Sequence, residues 1–139
     1  MKIAFVDTSI VLRLVLGEED SYLKLKKYDA VYASELMRVE ALRAIDRLRI
    51  RSSWTEKEVA TYVRLFCAVS AAITFIPLQQ PILRRAADSF PTLVKTLDAL
   101  HLSTAILAQL QLDEQLLFLT HDKKQGLAAQ ACGMEAEGW

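Results

Sequence analysis

Four acidic residues stand where a short apolar run ends or a helical segment begins. They are Asp7, Glu40, Asp98 and Asp122. Asp7 directly follows the apolar run "IAFV", and Asp122 comes two residues after "LLFLT". Ligand sites in open parallel α/β sheets lie in the crevice beyond the carboxyl ends of the strands. We therefore predict that the four carboxylates meet at one edge of such a sheet.

Each acid also has a structural interpretation, and the sequence leaves both open. Asp7 and Asp122 precede helical segments and suit the N-cap position. Asp98 suits the positive end of a helix dipole. Glu40 lies beside the apolar stripe of its helix and has no capping role, but it could pair with an arginine one or two turns later.

The chemistry of such a set depends on its charge. Carboxylates gathered in a partly buried crevice repel one another, so they require a positive partner. Oxygen ligands without a nearby thiolate or imidazole suit hard divalent ions. We expect Mg²⁺ or Mn²⁺ at this site, and we do not expect zinc.

Short apolar strands and helical segments alternate along the chain. Strands are predicted at residues 3–6, 30–33, 73–78 and 115–120, and helices at 10–16, 18–29, 34–51, 52–72, 81–90, 98–110 and 121–132. Expected helix boundaries are an N-cap at Ser34, another at Ser53 or Thr55, and a stop at Gly133. This order favours an α/β fold with a mostly parallel central sheet of four or five strands between helices. The tail "MEAEGW" is a poor strand, which leaves the fifth strand open.

Length and composition limit the class of protein. With 139 residues, of which 53% are hydrophobic, the chain fits one domain over residues 1–139. No apolar stretch is long enough for a membrane span, so we expect a soluble, cytoplasmic protein. Seventeen basic residues balance seventeen acidic ones, which argues against indiscriminate binding to nucleic acid. Cys67 and Cys132 are expected to be core thiols rather than a disulfide or a zinc site.

Four segments in this order resemble a known family. They are "FVDTS", "SELMRVEALRAI", "LDALHLSTA" and "FLTHD". Together they resemble the PIN-domain ribonucleases, and in particular the VapC-like toxins of type II toxin–antitoxin systems. The resemblance covers nearly the whole chain, although Met37 stands where many relatives carry a smaller polar residue.

The resemblance implies both a site and an activity. It implies that the four acidic positions of the family, catalytic and metal-binding, are Asp7, Glu40, Asp98 and Asp122 in this chain. It implies supporting hydroxyl groups at Ser9 and Thr120. The activity implied is that of a metal-dependent endoribonuclease that hydrolyses RNA phosphodiester bonds with Mg²⁺ or Mn²⁺. No histidine is needed as a base, so His101 and His121 are interpreted as structural or bystander residues.

Partners follow from the same resemblance. It implies an RNA substrate, a cognate VapB-like antitoxin and a homodimer, and no membrane. Phosphate contacts are expected from Arg43, Arg47 or Lys95, although a solvated face with a pair such as Asp46 and Arg49 is the alternative. An antitoxin groove is expected near apolar residues that could equally face the core. Those residues are Leu12, Val15, Leu16, Tyr22 and Leu25.

Three other classes of protein share features with the sequence. A catalytically inactive PIN-like module that binds RNA or protein would share the fold, but it would be expected to lack one or more of the acids. A haloacid-dehalogenase-like phosphatase needs a second Asp two residues after the first, where this chain has Ser9. A receiver-type phosphoacceptor would need an acidic pair near the N-terminus, which is missing.

Overall fold

A parallel β-sheet lies at the centre of the computed structural model, which describes residues 1–17 and 21–139. Its strands are β1 (Ile3–Val6), β2 (Ala30–Ser34), β3 (Thr74–Ile76), β4 (Leu116–Leu119) and β5 (Glu135–Glu137). Their order is β3-β2-β1-β4-β5, and every neighbouring pair is parallel. The α/β class and the parallel sheet predicted from the sequence are therefore confirmed.

Helices cover both faces of this sheet. They are α1 (Thr8–Leu16), a 3-10 helix (Ser21–Lys27), α2 (Leu36–Arg51), α3 (Glu56–Ala71), α4 (Gln80–Ala87), α5 (Thr96–Leu112) and α6 (Lys123–Ala131). In the described part of the chain, no helix combines the length and the apolar character needed to cross a membrane.

Strand β1 supplies both halves of the core, because successive side chains point to opposite faces. Ala4 and Val6 pack with α1, α2 and α3 on one face. Ile3 and Phe5 pack with α5 and α6 on the other, where the Phe5 ring stacks on Phe118 at 5.6 Å. A central strand buried on both faces is consistent with its continuous apolar run.

The strand register places the first acid beside the loop that carries the last one. Val6 is paired with Leu119, so Asp7 and Thr120 leave the sheet side by side. The backbone amide of Asp7 extends the ladder by donating to the Leu119 carbonyl at 2.9 Å. The carboxyl ends of β1 and β4 therefore form one edge, as predicted.

Some predicted boundaries differ from the structure. Ser34 is the last residue of β2, and α2 begins at Leu36 with Glu35 as its N-cap. The predicted N-cap at Ser34 is wrong by one residue because the Glu35 amide donates to the Ile76 carbonyl of the neighbouring strand. The Ser34 hydroxyl still accepts from the Leu36 amide at 3.2 Å. For α3, Thr55 is the N-cap and forms a reciprocal capping box with Glu58.

Within the helix predicted over residues 18–29, the structure has a shorter 3-10 helix at Ser21–Lys27. Residues 18–20 lie outside the described part of the chain. At the C-terminal end, Gly133 has a φ of +84° directly after α6, so the predicted stop is confirmed. The tail does form a fifth strand. Backbone pairing with β4 forms this strand, although apolar and polar side chains do not alternate clearly along it.

Several side chains predicted to be buried or exposed are placed differently. Cys67 is exposed on α3 and Cys132 is partly exposed, so the prediction of two core thiols is wrong for Cys67. Both cysteines are free. Of the residues considered for an apolar groove, Val15 and Leu25 are core residues, whereas Leu16 is 37% exposed. The side chain of Tyr22 is outside the described part.

Candidate active site

Asp7 lies at the end of β1 and is buried, with 7% of its surface exposed. It is the N-cap of α1, and its Oδ2 accepts from the Ser9 amide at 3.0 Å and from the Ser9 hydroxyl at 2.7 Å. Capping occupies only one carboxylate oxygen, because Oδ1 points to other partners. Asp7 can therefore cap a helix and also serve a site.

A buried glutamine holds the second oxygen of Asp7. The Gln125 amide donates to Asp7 Oδ1 at 3.2 Å, and its carbonyl accepts from the Thr120 hydroxyl at 2.7 Å. Gln125 is 2% exposed, and Thr120 lies 3.4 Å from Asp7 Oδ2. The hydroxyl groups of Ser9 and Thr120 thus both lie beside this carboxylate, while Gln125 was not anticipated.

Glu40 projects from α2 toward the same edge, and it is not paired with Arg43 or Arg47. Its Oε1 accepts from the Thr8 hydroxyl at 2.9 Å and is also hydrogen-bonded to His101 Nε2. Arg43 pairs instead with Asp46 at 3.7 Å. Glu40 is therefore tied to α1 and α5, which brings three helices together at the site.

His101 is 1% exposed on α5, one turn after Asp98. Its Nε2 lies 3.5 Å from the Thr8 hydroxyl and 3.9 Å from Asp7 Oδ1. Burial acts to lower the pKa of His101, but the hydrogen bond with Glu40 and the charges of Asp7, Glu40 and Asp98 raise it above its ordinary value. Glu40 and His101 are 61 residues apart, so local sequence patterns could not predict that the two side chains meet.

Asp98 lies in the first turn of α5 and is half-buried. Burial raises the pKa of this carboxyl, and so do the negative charges of Asp7, Asp122 and Glu40, while His101 opposes them. Asp7, Glu40 and Asp122 are therefore close enough to act on the charge of Asp98. A common ligand site made by all four acids stays a prediction.

Asp122 lies at the exposed rim of the site as the N-cap of α6. Its Oδ1 accepts from the amides of Lys124 at 2.9 Å and Gln125 at 3.3 Å. Asp98 and Asp122 also line a small cavity of about 100 Å³ together with Lys95 and Lys124. The cavity gives these two acids an opening to solvent.

His121, the other histidine, faces away from the acids. Its Nδ1 lies 2.6 Å from the Gly138 carbonyl in the tail and 3.3 Å from Arg13. Only its backbone amide turns to the site, donating to the Ser9 hydroxyl at 3.1 Å. The His121 ring therefore contacts the tail and does not lie among the carboxylates.

The arrangement can be tested for its fit to a divalent ion. Within residues 1–17 and 21–139, no three His, Cys, Asp or Glu side chains stand together as a complete metal centre. Mg²⁺ does not require one, since it usually keeps several waters and takes one or two protein carboxylates. In the same part of the chain, no lysine or arginine forms an ion pair with the four acids. The carboxylate oxygens therefore fit a hard cation, although His101 brings an imidazole among them, bonded to Glu40 and 3.9 Å from Asp7.

Sequence comparison assigns this fold to a family. A model of the PIN domain family matches residues 4–130. Because this match spans most of the chain, the protein belongs to the PIN domain family. Comparison with curated proteins gives no match.

Two solved structures share the fold. VapBC2 from Rickettsia felis, solved bound to a DNA fragment from its promoter, superposes with a TM-score of 0.69 at 13% identity, covering 99% of this chain and 98% of the other. PAE2754 from Pyrobaculum aerophilum gives a TM-score of 0.64 at 14% identity, covering 98% and 89%. At such identities the likeness establishes the architecture alone.

Proposed function

We propose that this protein is a metal-dependent endoribonuclease toxin that acts in the cytoplasm and is neutralised by a cognate VapB-like antitoxin. The observation that carries the proposal is geometric: Asp7 is buried at the carboxyl end of β1, and His101, which is hydrogen-bonded to Glu40, lies 3.9 Å from Asp7. Burial, and then the charges of Asp7, Asp122 and Glu40, raise the pKa of Asp98 beside them. Perturbed carboxyl groups gathered in a crevice are typical of catalytic sites. Membership of the PIN domain family supports a nuclease rather than a phosphatase.

In this proposal Asp7 and Asp98 are the main ligands of the ion, and Glu40 and Asp122 complete the set or hold its waters. A bound Mg²⁺ or Mn²⁺ supplies Lewis-acid stabilisation of the phosphate and lowers the pKa of water for attack on phosphorus. The protein contributes fixed ligand orientation: Ser9 and Gln125 hold the two oxygens of Asp7, and Thr8 and His101 hold one oxygen of Glu40. Hydrogen-bonded carboxylates of this kind need little reorganisation when an ion binds.

An RNA substrate is proposed from the resemblance to the PIN-domain ribonucleases, and the balance of charges bears on how that RNA is recognised. A chain with as many acidic as basic residues is suited to recognise a folded RNA by shape and a few bases, not to grip any strand. Lys95 lines the cavity beside Asp98, where it can contact a phosphate of the bound strand. Arg43 is a weaker candidate for such a contact because Asp46 already pairs with it.

The antitoxin is proposed to bind a groove between α1 and the 3-10 helix. This groove has a volume of about 610 Å³ and is lined by Ile10, Leu14 and Tyr28. Basic side chains border it at Arg13, Lys24 and Lys27. An amphipathic helix with acidic flanks fits such a surface. The solved VapBC2 complex, which shares the fold, supports a partner of this type.

A homodimer is proposed through the other face of the molecule. A cleft of about 700 Å³ separates α4 from α5, and its lining includes Ile82, Leu107 and Leu110. Leu110 is 71% exposed, which is unusual for a large apolar side chain beside further apolar surface. No acid of the candidate site lines this cleft, so dimerisation here would leave the site open.

A catalytically inactive PIN-like module that binds RNA or protein is the second candidate. One observation favours it: Asp7 and Asp122 act as helix caps and Glu40 is held by neighbouring side chains. All of these contacts are also compatible with a nuclease. Only a measurement of cleavage separates the two.

The test is a cleavage assay on total cellular RNA with purified protein free of any partner. Reactions of the parent protein contain Mg²⁺ or Mn²⁺. Parallel reactions add EDTA, or replace the parent protein with Asp7→Asn or Asp98→Asn. Asp46→Asn is a matched control, because it removes an acid that pairs with Arg49 at 2.8 Å outside the site. Asn also caps helices, so Asp7→Asn is expected to fold.

Discrete fragments that persist in Asp46→Asn and vanish with EDTA and in both site variants support the nuclease. Fragments that persist in Asp98→Asn at the parent rate contradict the proposed site. Folded, partner-free protein that cleaves none of the RNA favours the binding module.

A further inference from the structure

We infer that His101 is a positioning residue that holds the carboxylate of Glu40 in the orientation with which it serves the acidic site. This role rests on the proposed function, because it assigns a purpose to the ligand orientation of Glu40. It depends on the contacts of this buried side chain and on the lack of a hydrogen-bond partner for its Nδ1 among the described residues.

Glu40 is held through one of its two carboxylate oxygens. Both the Thr8 hydroxyl and His101 Nε2 bond to Oε1. In the part of the chain that the structure describes, Oε2 receives no hydrogen bond from another side chain. Two donors on one oxygen fix the plane of the carboxylate, and they leave the other oxygen for a ligand.

The hydrogen bond between His101 and Glu40 runs from the ring nitrogen to the carboxylate oxygen. An ionised carboxylate only accepts, so Nε2 must be the donor to Glu40. Both the neutral Nε2–H tautomer and the imidazolium carry this proton. The positioning role is therefore independent of the charge on His101.

Packing alone does not explain a histidine at position 101. His101 is 1% exposed, and its Nδ1 has no hydrogen-bond partner among the described residues. Leaving a buried polar atom unpaired destabilises a fold, so an apolar side chain would fill this position at lower cost. The neighbouring residue of α5, Leu102, is apolar and fully buried. An apolar residue at position 101 could not supply the donor to Glu40.

The experiment compares His101→Gln with His101→Leu in the full-length chain. The Gln amide reaches about as far as the imidazole Nε2 and still donates, whereas Leu fills the space without a donor. Mn²⁺ affinity is measured by isothermal titration calorimetry on partner-free protein, beside the melting temperature in EDTA. Ser103→Ala is the control, because Ser103 is buried on α5 and its hydroxyl has no hydrogen-bond partner among the described residues.

The expected result is a loss of about 10- to 100-fold in Mn²⁺ affinity for His101→Leu, the range found when outer-shell partners of metal ligands are removed. His101→Gln and Ser103→Ala should stay close to the parent affinity. If His101→Leu does not fold, His101→Met replaces it, since the flexible thioether fills irregular space without a donor.

Three outcomes overturn the inference, and they differ from one another. Parent-like Mn²⁺ affinity in folded His101→Leu leaves the proposed function intact and removes the role of His101. Equal losses in His101→Gln and His101→Leu, with equally lowered melting temperatures in EDTA, assign His101 to packing. Absence of Mn²⁺ binding by the parent protein overturns the proposed function, and the inference with it.

Discussion

Gln125 donates from its amide nitrogen to Oδ1 of Asp7 at 3.2 Å, and this contact joins α6 to the end of β1. The same side chain accepts from the Thr120 hydroxyl at 2.7 Å. Rotation of the amide would therefore break two buried hydrogen bonds at once. Asp7 keeps its orientation because separate donors serve each of its oxygens.

Replacement of Gln125 by Leu is expected to destabilise the protein. The change leaves the Thr120 hydroxyl and Asp7 Oδ1 buried without their partner, which costs about 1–3 kcal/mol per group left unsatisfied. Urea unfolding at constant pH in EDTA measures this loss. Gln80→Leu is the control, because Gln80 is exposed on α4 and such surface changes lie within about 0.5 kcal/mol. Equal stability of the two variants would contradict the role given to Gln125.

Much of the fold and part of the site could be predicted from residue types. Apolar runs followed by turn residues located four of the strands, and Asp7 lies where its run ends. The parallel arrangement then required the carboxyl ends of β1 and β4 to meet at one edge. These features depend on local sequence, and local sequence was sufficient for them.

The partners of the acids depend on contacts between distant segments. The pairing of Glu40 with His101 spans 61 residues and that of Asp7 with Gln125 spans 118. A signal did exist for His101, which is a polar residue one turn after Asp98 on a largely apolar helix. For β5 no side-chain pattern was available, because backbone pairing with β4 forms that strand.

Asp98→Asn is expected to raise the melting temperature in EDTA at neutral pH. The pKa of Asp98 is raised in the folded state, first by burial and then by the neighbouring acids, so its ionisation disfavours folding. Below the pKa of the unfolded chain the carboxyl is protonated in both states and imposes no penalty. The penalty grows as the pH rises through the interval between the unfolded and folded pKa values, and it is constant above that interval.

Thermal unfolding of the parent and of Asp98→Asn from pH 4 to pH 8 tests this sign. The gain in melting temperature should be smallest at the acidic end and should level off toward neutral pH. Asp46→Asn, which removes a partly exposed acid outside the site, should show no such gain. A gain that is largest at the acidic end would show that the sign of the effect is wrong.

Gly138→Ala is expected to be more destabilising than Gly133→Ala. Both glycines have positive φ, +119° and +84°, so alanine is strained at either position. At Gly138 an added Cβ would also lie 2.5 Å from the carbonyl oxygen of Thr120, whereas nothing lies within 4 Å at Gly133. The strain common to both is about 1–2 kcal/mol, and the steric contact adds to it only at Gly138.

Chemical unfolding of the two alanine variants measures this difference. The contact has a further consequence, because Thr120 bonds to Gln125 and a displaced Thr120 would disturb the partner of Asp7. Gly138→Ala should therefore lower Mn²⁺ affinity as well as stability, while Gly133→Ala should lower stability alone. If the two variants had equal stability and equal Mn²⁺ affinity, the tail would be able to move away from the added Cβ without destabilising the protein.

Addition of Mn²⁺ is expected to stabilise the parent protein and not Asp98→Asn. An ion that binds only the folded state stabilises it by about 2.7 kcal/mol at a concentration 100 times its dissociation constant. For a chain of this size each 1 kcal/mol raises the melting temperature by roughly 2–8 °C. Thermal scans in Mn²⁺ measure the shift, with NaCl at matched ionic strength as the control for screening of the repelling acids. The cause is neutralisation of carboxylates that have no lysine or arginine partner within the described residues. Stabilisation of the same size in NaCl would show that screening accounts for it and that no ion is specifically held.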